Sequence, residues 1–431
     1  MRPDAAVGRL LALQPFERAG MRPGLERIQA LLADLGHPET ALRILHVGGT
    51  NGKGSVCAMA EAILRAAGLR TGLYTSPHLL DLRERIRIGG AAIPPDELAR
   101  QAARLGPRLE GGVTFFEAMT AVALAAFRDA GVEAAVVEVG LGGRWDATNV
   151  GTPLVSVLSR IAHDHQEYLG SRLAEIAAEK AAIIRGGVAL SAAQAPEAMA
   201  VIEAHCRASG VPLVVEGRDL VVEVLGSDLR GHRLSLHGPG WVVKDLAVAL
   251  PGLYQPANAA LAVGAVRAFA QATDVAVPEP AARAGCAAVR WPGRFQVIEG
   301  VPGRPTIVLD GAHNPAGATA LAESLSRLFP GGRLTLVLGI SADKDRAGVL
   351  KALVPLARRV VLTAAANPRA TPPEELRAAL PPVEAETRCA PDAAGALELA
   401  LADPAADLVC VAGSLFLVAD ALRWLQARGI A

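Results

Sequence analysis

The stretch Gly49-Thr50-Asn51-Gly52-Lys53-Gly54-Ser55 constrains what this chain can fold into more than any other. Ahead of it, Ile44-Leu45-His46-Val47 is a short apolar run that reads as a buried strand. Behind it, residues 56–67 carry apolar side chains at helical spacing, with Gly68 as a natural stop. Strand, glycine turn and helix together point backbone N–H groups and a helix N-terminus at a phosphate. Lys53 adds a charge for the β- and γ-phosphates, and Ser55 a hydroxyl for Mg2+. The spacing departs from the standard phosphate-binding loop, because Gly54 separates Lys53 from Ser55 and the first glycine is placed differently. A glycine-rich turn can be only a turn; between this strand and this helix it reads as a nucleotide site.

With 431 residues the chain is too long for one core and suggests about two or three domains. Its formal net charge is +0, which argues for no nucleic-acid or membrane-surface partner. No apolar run approaches the ~18 residues of a membrane span. The first twenty residues mix Arg2, Asp4, Arg9, Glu17 and Arg18 with apolar ones, unlike a signal peptide. Cysteines 57, 206, 286, 389 and 410 are scattered without a CxxC pair and read as reduced thiols of a cytoplasmic protein. Lysine occurs only at 53, 180, 244, 344 and 351, whereas arginine is abundant. A lysine at a special position is therefore expected to serve through its amine.

Residues 1–43 read as helices leading to the first strand, with a stripe of Ile28, Leu31, Leu32 and Leu35. From 44 to about 190, strands at 44–47, 71–74, 134–139 and 153–158 alternate with helices, as in a parallel sheet. Residues 211–250 look like short antiparallel strands, and a helix follows from about 257 to 271. Arg290-Trp291-Pro292-Gly293-Arg294-Phe295 interrupts the pattern and marks a boundary between domains 1–291 and 292–431. The second alternation has strands at 306–309, 333–339, 358–363 and 407–412, and a helix capped by Thr371.

Several residues can carry chemistry. Glu138 puts a carboxylate in the apolar run 134–139, at its glycine-rich end, where it suits a Mg2+ ligand; the alternative is a solvent-edge glutamate. His163-Asp164-His165 lacks further ligands at zinc spacing and better suits a hard cation or an amine's proton. Lys180 is either a surface lysine or an amine kept for its chemistry. Ser76-Pro77-His78-Leu79 can be a turn, and Thr114-Phe115-Phe116-Glu117 a helix cap with core aromatics. Polar loops at 309–315, 341–345 and 413–414 end strands of the second sheet and suggest a second ligand wall.

Taken together, these stretches resemble the bacterial folylpolyglutamate synthase/dihydrofolate synthase family of the Mur ligase superfamily. The likeness runs nearly end to end: GLERIQALLADLG (24–36), GTNGKGS (49–55), TSPHL (75–79), TFFE (114–117), EVGLGGRWDATN (138–149), HDHQEYLG (163–170), EK (179–180), QPANAALA (255–262), PGRFQ (292–296), LDGAHNP (309–315), DKD (343–345) and GS (413–414). The resemblance implies a P-loop parallel-sheet α/β domain, then a smaller Rossmann-like α/β domain. It implies an ATP-dependent amide ligase that joins L-glutamate to dihydropteroate and to reduced folates through an acyl phosphate. By that likeness Gly52, Lys53, Gly54, Ser55, Asn258, Arg294 and Asp310 hold ATP, and Ser55, Ser76, Glu138 and His165 surround Mg2+. Lys180 looks like the family's carbamylated lysine, a change arginine cannot undergo. Lys53, Lys180 and His165 are the catalytic candidates. Thr114, Phe115, Phe116, Glu117, Trp145, Asp146 and Ala147 match pterin positions, with His313 and Ser414 towards glutamate. Family members are usually monomeric.

Two departures, the polar Arg160-Ile161-Ala162-His163 and Trp145 in place of a smaller apolar residue, bear on substrate preference. Rival readings are a folylpolyglutamate synthase alone, a Mur ligase for a UDP-muramyl peptide, a P-loop switch and a non-catalytic folate binder. The 48 residues before Gly49 are too few for a UDP-binding domain.

Overall fold

The computed structural model describes residues 3–14, 22–301 and 303–431. The reading of the N-terminal segment as no signal peptide rests partly on residues 1–2 and 15–21, outside that range.

The apolar runs of the first half are buried on both faces, as parallel strands between helices must be. Strands β1 (Ile44–Gly48), β2 (Thr71–Tyr74), β3 (Ile86–Ile88), β4 (Ala91–Ala92), β5 (Ala134–Glu138), β6 (Val155–Leu158), β7 (Val188–Ser191) and β8 (Leu213–Val215) form one sheet. Their order is β4-β3-β2-β5-β1-β6-β7-β8. β3 and β4 run antiparallel, and the other pairings are parallel. β1 is thus central, with Glu138 at the end of its neighbour β5 in register with Val47. Helix α1 (Lys53–Ala66) packs with α4 (Gln255–Thr273) on one face, and α2 (Phe115–Asp129) covers the other.

β9 (Val221–Asp228), β10 (Gly231–Gly238) and β11 (Trp241–Val248) form a separate antiparallel sheet. The expectation for 211–250 needs one correction: Leu213–Val215 joins the main sheet in parallel instead. Val215 is buried there.

The second half folds around a sheet of order β12-β13-β17-β14-β15-β16. Its strands are β12 (Gln296–Ile298), β13 (Thr306–Leu309), β14 (Leu334–Leu338), β15 (Arg359–Leu362), β16 (Glu386–Cys389) and β17 (Leu408–Ala412). Only β12 is antiparallel to its neighbour. The polar edge strand β16 (Glu-Thr-Arg-Cys) has no apolar run to reveal it, and β3, β4, β7 and β12 are short. Thr371 does not cap the next helix: Pro373–Ala378 is preceded by Pro372, and the Thr371 hydroxyl is buried without a partner. Proline at both N-cap and first position fixes the entry angle, and the Glu375 N–H donates to Pro372 O rather than to a capping side chain. All five cysteines are free.

Candidate active site

The glycine turn sits at the C-terminal end of the central strand, where open α/β sheets place ligands. Gly52 has φ +95°, and a Cβ there would lie 2.5 Å from Asn258 Oδ1. Both conformation and space therefore demand glycine. The helix α1 starts at Lys53 itself, three residues earlier than the apolar spacing suggests. That start leaves the first N–H groups of the helix, on the glycine turn, available to an anion. Lys53 Nζ donates to Thr50 O at 3.3 Å. A Cβ on Gly54 would lie 2.8 Å from Trp291 Nε1, so the extra glycine makes room for that indole.

Helix α4 braces the turn. Gln255 Nε2 donates to Ser55 Oγ at 3.2 Å and Asn258 Nδ2 donates to Gln255 Oε1 at 3.0 Å. Gln255 escaped the sequence reading as a site residue, although QPANAALA contains it.

Lys180, on α3 (Leu173–Ala181), is 4% exposed, and its Nζ donates to Gly49 O at 3.0 Å. Burial, with help from Lys53, lowers its pKa to about 7. It is no surface lysine; Glu179 beside it faces out to Arg144. Glu138 is likewise buried rather than at a solvent edge, and accepts from Ser76 N–H at 3.1 Å. Burial pushes its carboxyl up, while Lys53, the Ser76 N–H and Arg294 pull it back. The Ser76–Pro77 peptide is cis.

A second cluster joins the two sheets. Asp164 accepts from Lys344 Nζ at 2.6 Å and from Asn314 Nδ2 at 3.0 Å, and His313 Nε2 lies 3.4 Å away. Burial alone would raise the Asp164 carboxyl, but His313, Lys344 and His165 outweigh it and hold it below the usual range. Asn51 and Asn314 exchange amide hydrogen bonds of 3.1 and 3.0 Å across the same gap. Lys344 Nζ is also 3.0 Å from His165 Nε2, which therefore accepts and is unprotonated. Burial drives the His165 pKa down to about 4 against the pull of Asp164. His163 is exposed and separate, so the H-D-H triplet divides. Lys344 and Asn314 lay inside the DKD and LDGAHNP stretches, but their partners, 180 and 263 residues away, have no local signature.

From the second domain, Asp310 accepts from Tyr254 Oη at 2.7 Å and from Phe295 N–H at 2.7 Å, at the junction with the linker. Burial pushes the Asp310 carboxyl up and the Tyr254 hydroxyl pulls it back. Arg294 lies against Gly311, whose Cβ position is 2.4 Å from Arg294 Nη1. Ser414 Oγ accepts from Phe416 N–H and caps α5 (Leu415–Ala427). A cavity of about 400 Å³ opens between the lobes beside Thr75, Pro77, His78, Trp291, Arg294 and Leu415.

The pterin candidates divide. Thr114 and Glu117 form a capping box, and Glu117 also pairs with Arg27 at 2.9 Å. Phe115 is buried under the Arg85 guanidinium. Phe116 lies over Gly140 and is tilted against Tyr74, with ring centroids 6.0 Å apart. Trp145 is 42% exposed, whereas Asp146 and Ala147 are buried. Burial pushes the Asp146 carboxyl up; donors from Thr148 and the Leu141 N–H favour its ionised form.

Among the described residues no three His, Cys, Asp or Glu side chains form a ready metal site. The donors near Lys53 are oxygens: the Ser55 hydroxyl and the buried Glu138 carboxylate, which has no cation in direct contact. That set fits Mg2+, which takes few protein ligands and completes its shell with phosphates and water.

A glycine turn under a second sheet whose polar strand ends face it defines a class. Models for the Mur ligase middle domain and for the Mur ligase glutamate ligase domain match residues 47–266 and 293–415. A "Dihydrofolate synthase/folylpolyglutamate synthase" of Mycobacterium tuberculosis is 40% identical over 84% of this chain and 78% of its own length. A "Folylpolyglutamate synthase" of Lacticaseibacillus casei is 37% identical over 84% of this chain and 86% of its own length. An Escherichia coli FolC crystallised with DHPP and ADP superimposes with TM-score 0.88 at 32% identity, covering 98% of both chains. The chain belongs to the dihydrofolate synthase/folylpolyglutamate synthase family of Mur ligases.

Proposed function

We propose that this chain is an ATP-dependent carboxylate–amine ligase that adds L-glutamate to dihydropteroate and to reduced folates. The observation that carries the reading is the constellation of half-buried Lys53 with buried Glu138 and Lys180 around the turn 49–55, with Arg294 of the second lobe near enough to favour the Glu138 carboxylate.

The pterin-linked carboxylate attacks the γ-phosphorus of ATP, and the bond to the β-bridging oxygen breaks to release ADP. The glutamate ammonium first gives up a proton to solvent, its neutral nitrogen attacks the acyl carbon, phosphate leaves, and the nitrogen sheds a second proton to solvent as the amide forms. Lys53 and the N–H groups of residues 52–55 neutralise and orient the phosphates, which is most of what phosphoryl transfer needs. Mg2+, when bound, supplies further neutralisation of phosphate charge. Ser55, Ser76, Glu138 and His165 are the residues that would hold it. The His165 Nε2 lone pair, held here by the Lys344 ammonium, is the atom that would face such an ion.

Asn258, Arg294 and Asp310 grip the rest of the nucleotide. Lys180 is carbamylated: a lysine amine reacts with CO2 only when unprotonated, and a pKa of about 7 meets that need. Thr114, Phe116, Trp145, Asp146 and Ala147 define the pterin side, and His313 and Ser414 the glutamate side. The division falls into an ATP-binding domain 1–291 and a glutamate-ligase domain 292–431. The protein acts as a cytoplasmic monomer; no described helix is long and apolar enough to cross a membrane.

A coupled ADP-release assay with dihydropteroate plus L-glutamate, and separately with a reduced folate, tests the reading. Silence with both substrates overturns it. A second reading, a folylpolyglutamate synthase alone, is favoured by the likeness to the Lacticaseibacillus casei protein. Turnover with the reduced folate but not with dihydropteroate selects it.

A further inference from the structure

Strand β1 carries one polar side chain, His46, in register with Val137 on one side and Ser156 on the other, and it is buried. A buried polar group in a central strand is costly unless it is hydrogen-bonded, and an aliphatic residue would serve the core better. His46 Nε2 lies 2.8 Å from Thr148 Oγ1, and the Thr148 hydroxyl donates to Asp146 Oδ1. A hydroxyl has one hydrogen. With that hydrogen on Asp146, Thr148 Oγ1 must accept, so His46 carries its proton on Nε2. Thr148 N–H donates to the same carboxylate oxygen at 3.0 Å, and Leu141 N–H donates to the other at 2.8 Å. Burial, reinforced by Arg185, lowers the His46 pKa to about 3, so the donor is a neutral imidazole.

We propose that His46 is a positioning residue for the pterin substrate: its N–H, relayed through the Thr148 hydroxyl, fixes the Asp146 carboxylate and the loop 140–149. This rests on the assignment of Asp146 to the pterin side of the site. β1 then serves both substrates, presenting backbone to ATP from its end and a side chain to the pterin loop from its middle. Without the imidazole N–H, the Thr148 hydroxyl is free to turn its hydrogen elsewhere, and Asp146 loses a donor. Losing a hydrogen bond to a charged group is expected to change pterin affinity about tenfold or more.

The test is steady-state kinetics on the full chain with dihydropteroate and ATP varied in turn. His46→Leu and Thr148→Val should each raise KM for dihydropteroate about tenfold and leave KM for ATP within about twofold. His46→Gln, which keeps a donor, and Thr148→Ser, which keeps the hydroxyl, should recover most of the loss. The double variant His46→Leu/Thr148→Val should be no worse than Thr148→Val alone, as expected of members of one relay.

An equal rise in the ATP KM of His46→Leu would mean that the strand is distorted as a whole, and would overturn the proposal. An unchanged dihydropteroate KM in Thr148→Val, which preserves shape and leaves β1 untouched, would overturn it as well. Asp146→Asn separates the two layers. If it alone raises the dihydropteroate KM, the relay fails; if it has no effect, the assignment of Asp146 fails with it.

Discussion

The amine of Lys180 lies 3.0 Å from the carbonyl oxygen of Gly49, joining the first glycine of the nucleotide turn to a helix 131 residues further along. Burying an ammonium is costly, and the Gly49 carbonyl with the more distant Asp164 and Asp146 offsets this one only in part.

That burial gives stability a definite pH slope. The Lys180 pKa falls from an ordinary 10.5 to about 7 on folding. Between those values the unfolded chain holds a proton that the folded chain lacks, so stability rises with pH across that window. Lys180→Met should raise the melting temperature at pH 7 by removing a penalty on the order of a few kcal/mol. The gain should shrink towards pH 10. Thermal unfolding at several pH values, without nucleotide and with bicarbonate excluded so that the Lys180 amine is free, measures it.

Activity should move the other way. Lys180→Met and Lys180→Arg should both cut kcat about 100-fold or more, as expected when a preorganised anionic group is lost. Wild-type activity should fall when bicarbonate is removed and recover on its return, followed by ADP release at pH 7.5.

Glu138→Gln should also separate stability from function. Its carboxyl is raised by burial, so over the window above the ordinary carboxylate pKa the folded chain holds more protons and stability falls with rising pH. The amide should therefore melt no lower than wild type at pH 8. Turnover should drop about 100-fold, and the Mg2+-dependent stabilisation by an ATP analogue should largely vanish. Calorimetric melts with and without Mg2+ check both.

Gly52→Ala meets two obstacles, a φ of +95° and a contact at 2.5 Å with Asn258 Oδ1. It should cost about 1–3 kcal/mol of stability. It should also raise KM for ATP at least tenfold. Asn258→Ala in the same chain should relieve the contact but not the backbone strain, so stability should be rescued in part while the KM for ATP stays raised.

The Asp164–Lys344 pair, with side chains 8% and 9% exposed, bridges the two lobes. Lys344→Met leaves Asp164 with its His313 and Asn314 partners but without its closest cation. A loss of roughly 3–5 kcal/mol is expected for breaking a buried pair. Because the pair spans the gap, part of the loss should appear as looser association of the lobes. A larger radius of gyration by small-angle scattering would show it.

The parts of the site that could be read from the chain alone are those where chemistry follows an apolar run: Lys53 after β1, Glu138 ending β5, Asp310 after β13. A buried strand ending in a glycine or polar turn is a local signal. Residues whose meaning lies in a distant partner were not legible. Asn51 and Asn314 read as loop residues until the lobes face each other. His46 vanished into an apolar run because one polar residue does not break a strand pattern. Phe115 and Glu117 show the reverse: they sit in a motif, yet one is core and the other caps its own helix.

The indole of Trp291 occupies the space that a side chain at position 54 would need. Since Trp291 opens the stem leading to the second lobe, the hand that grasps the nucleotide and the wrist that carries its cover are built against each other. Restoring the commoner loop pattern by filling position 54 would not tidy an irregularity; it would prise that joint apart.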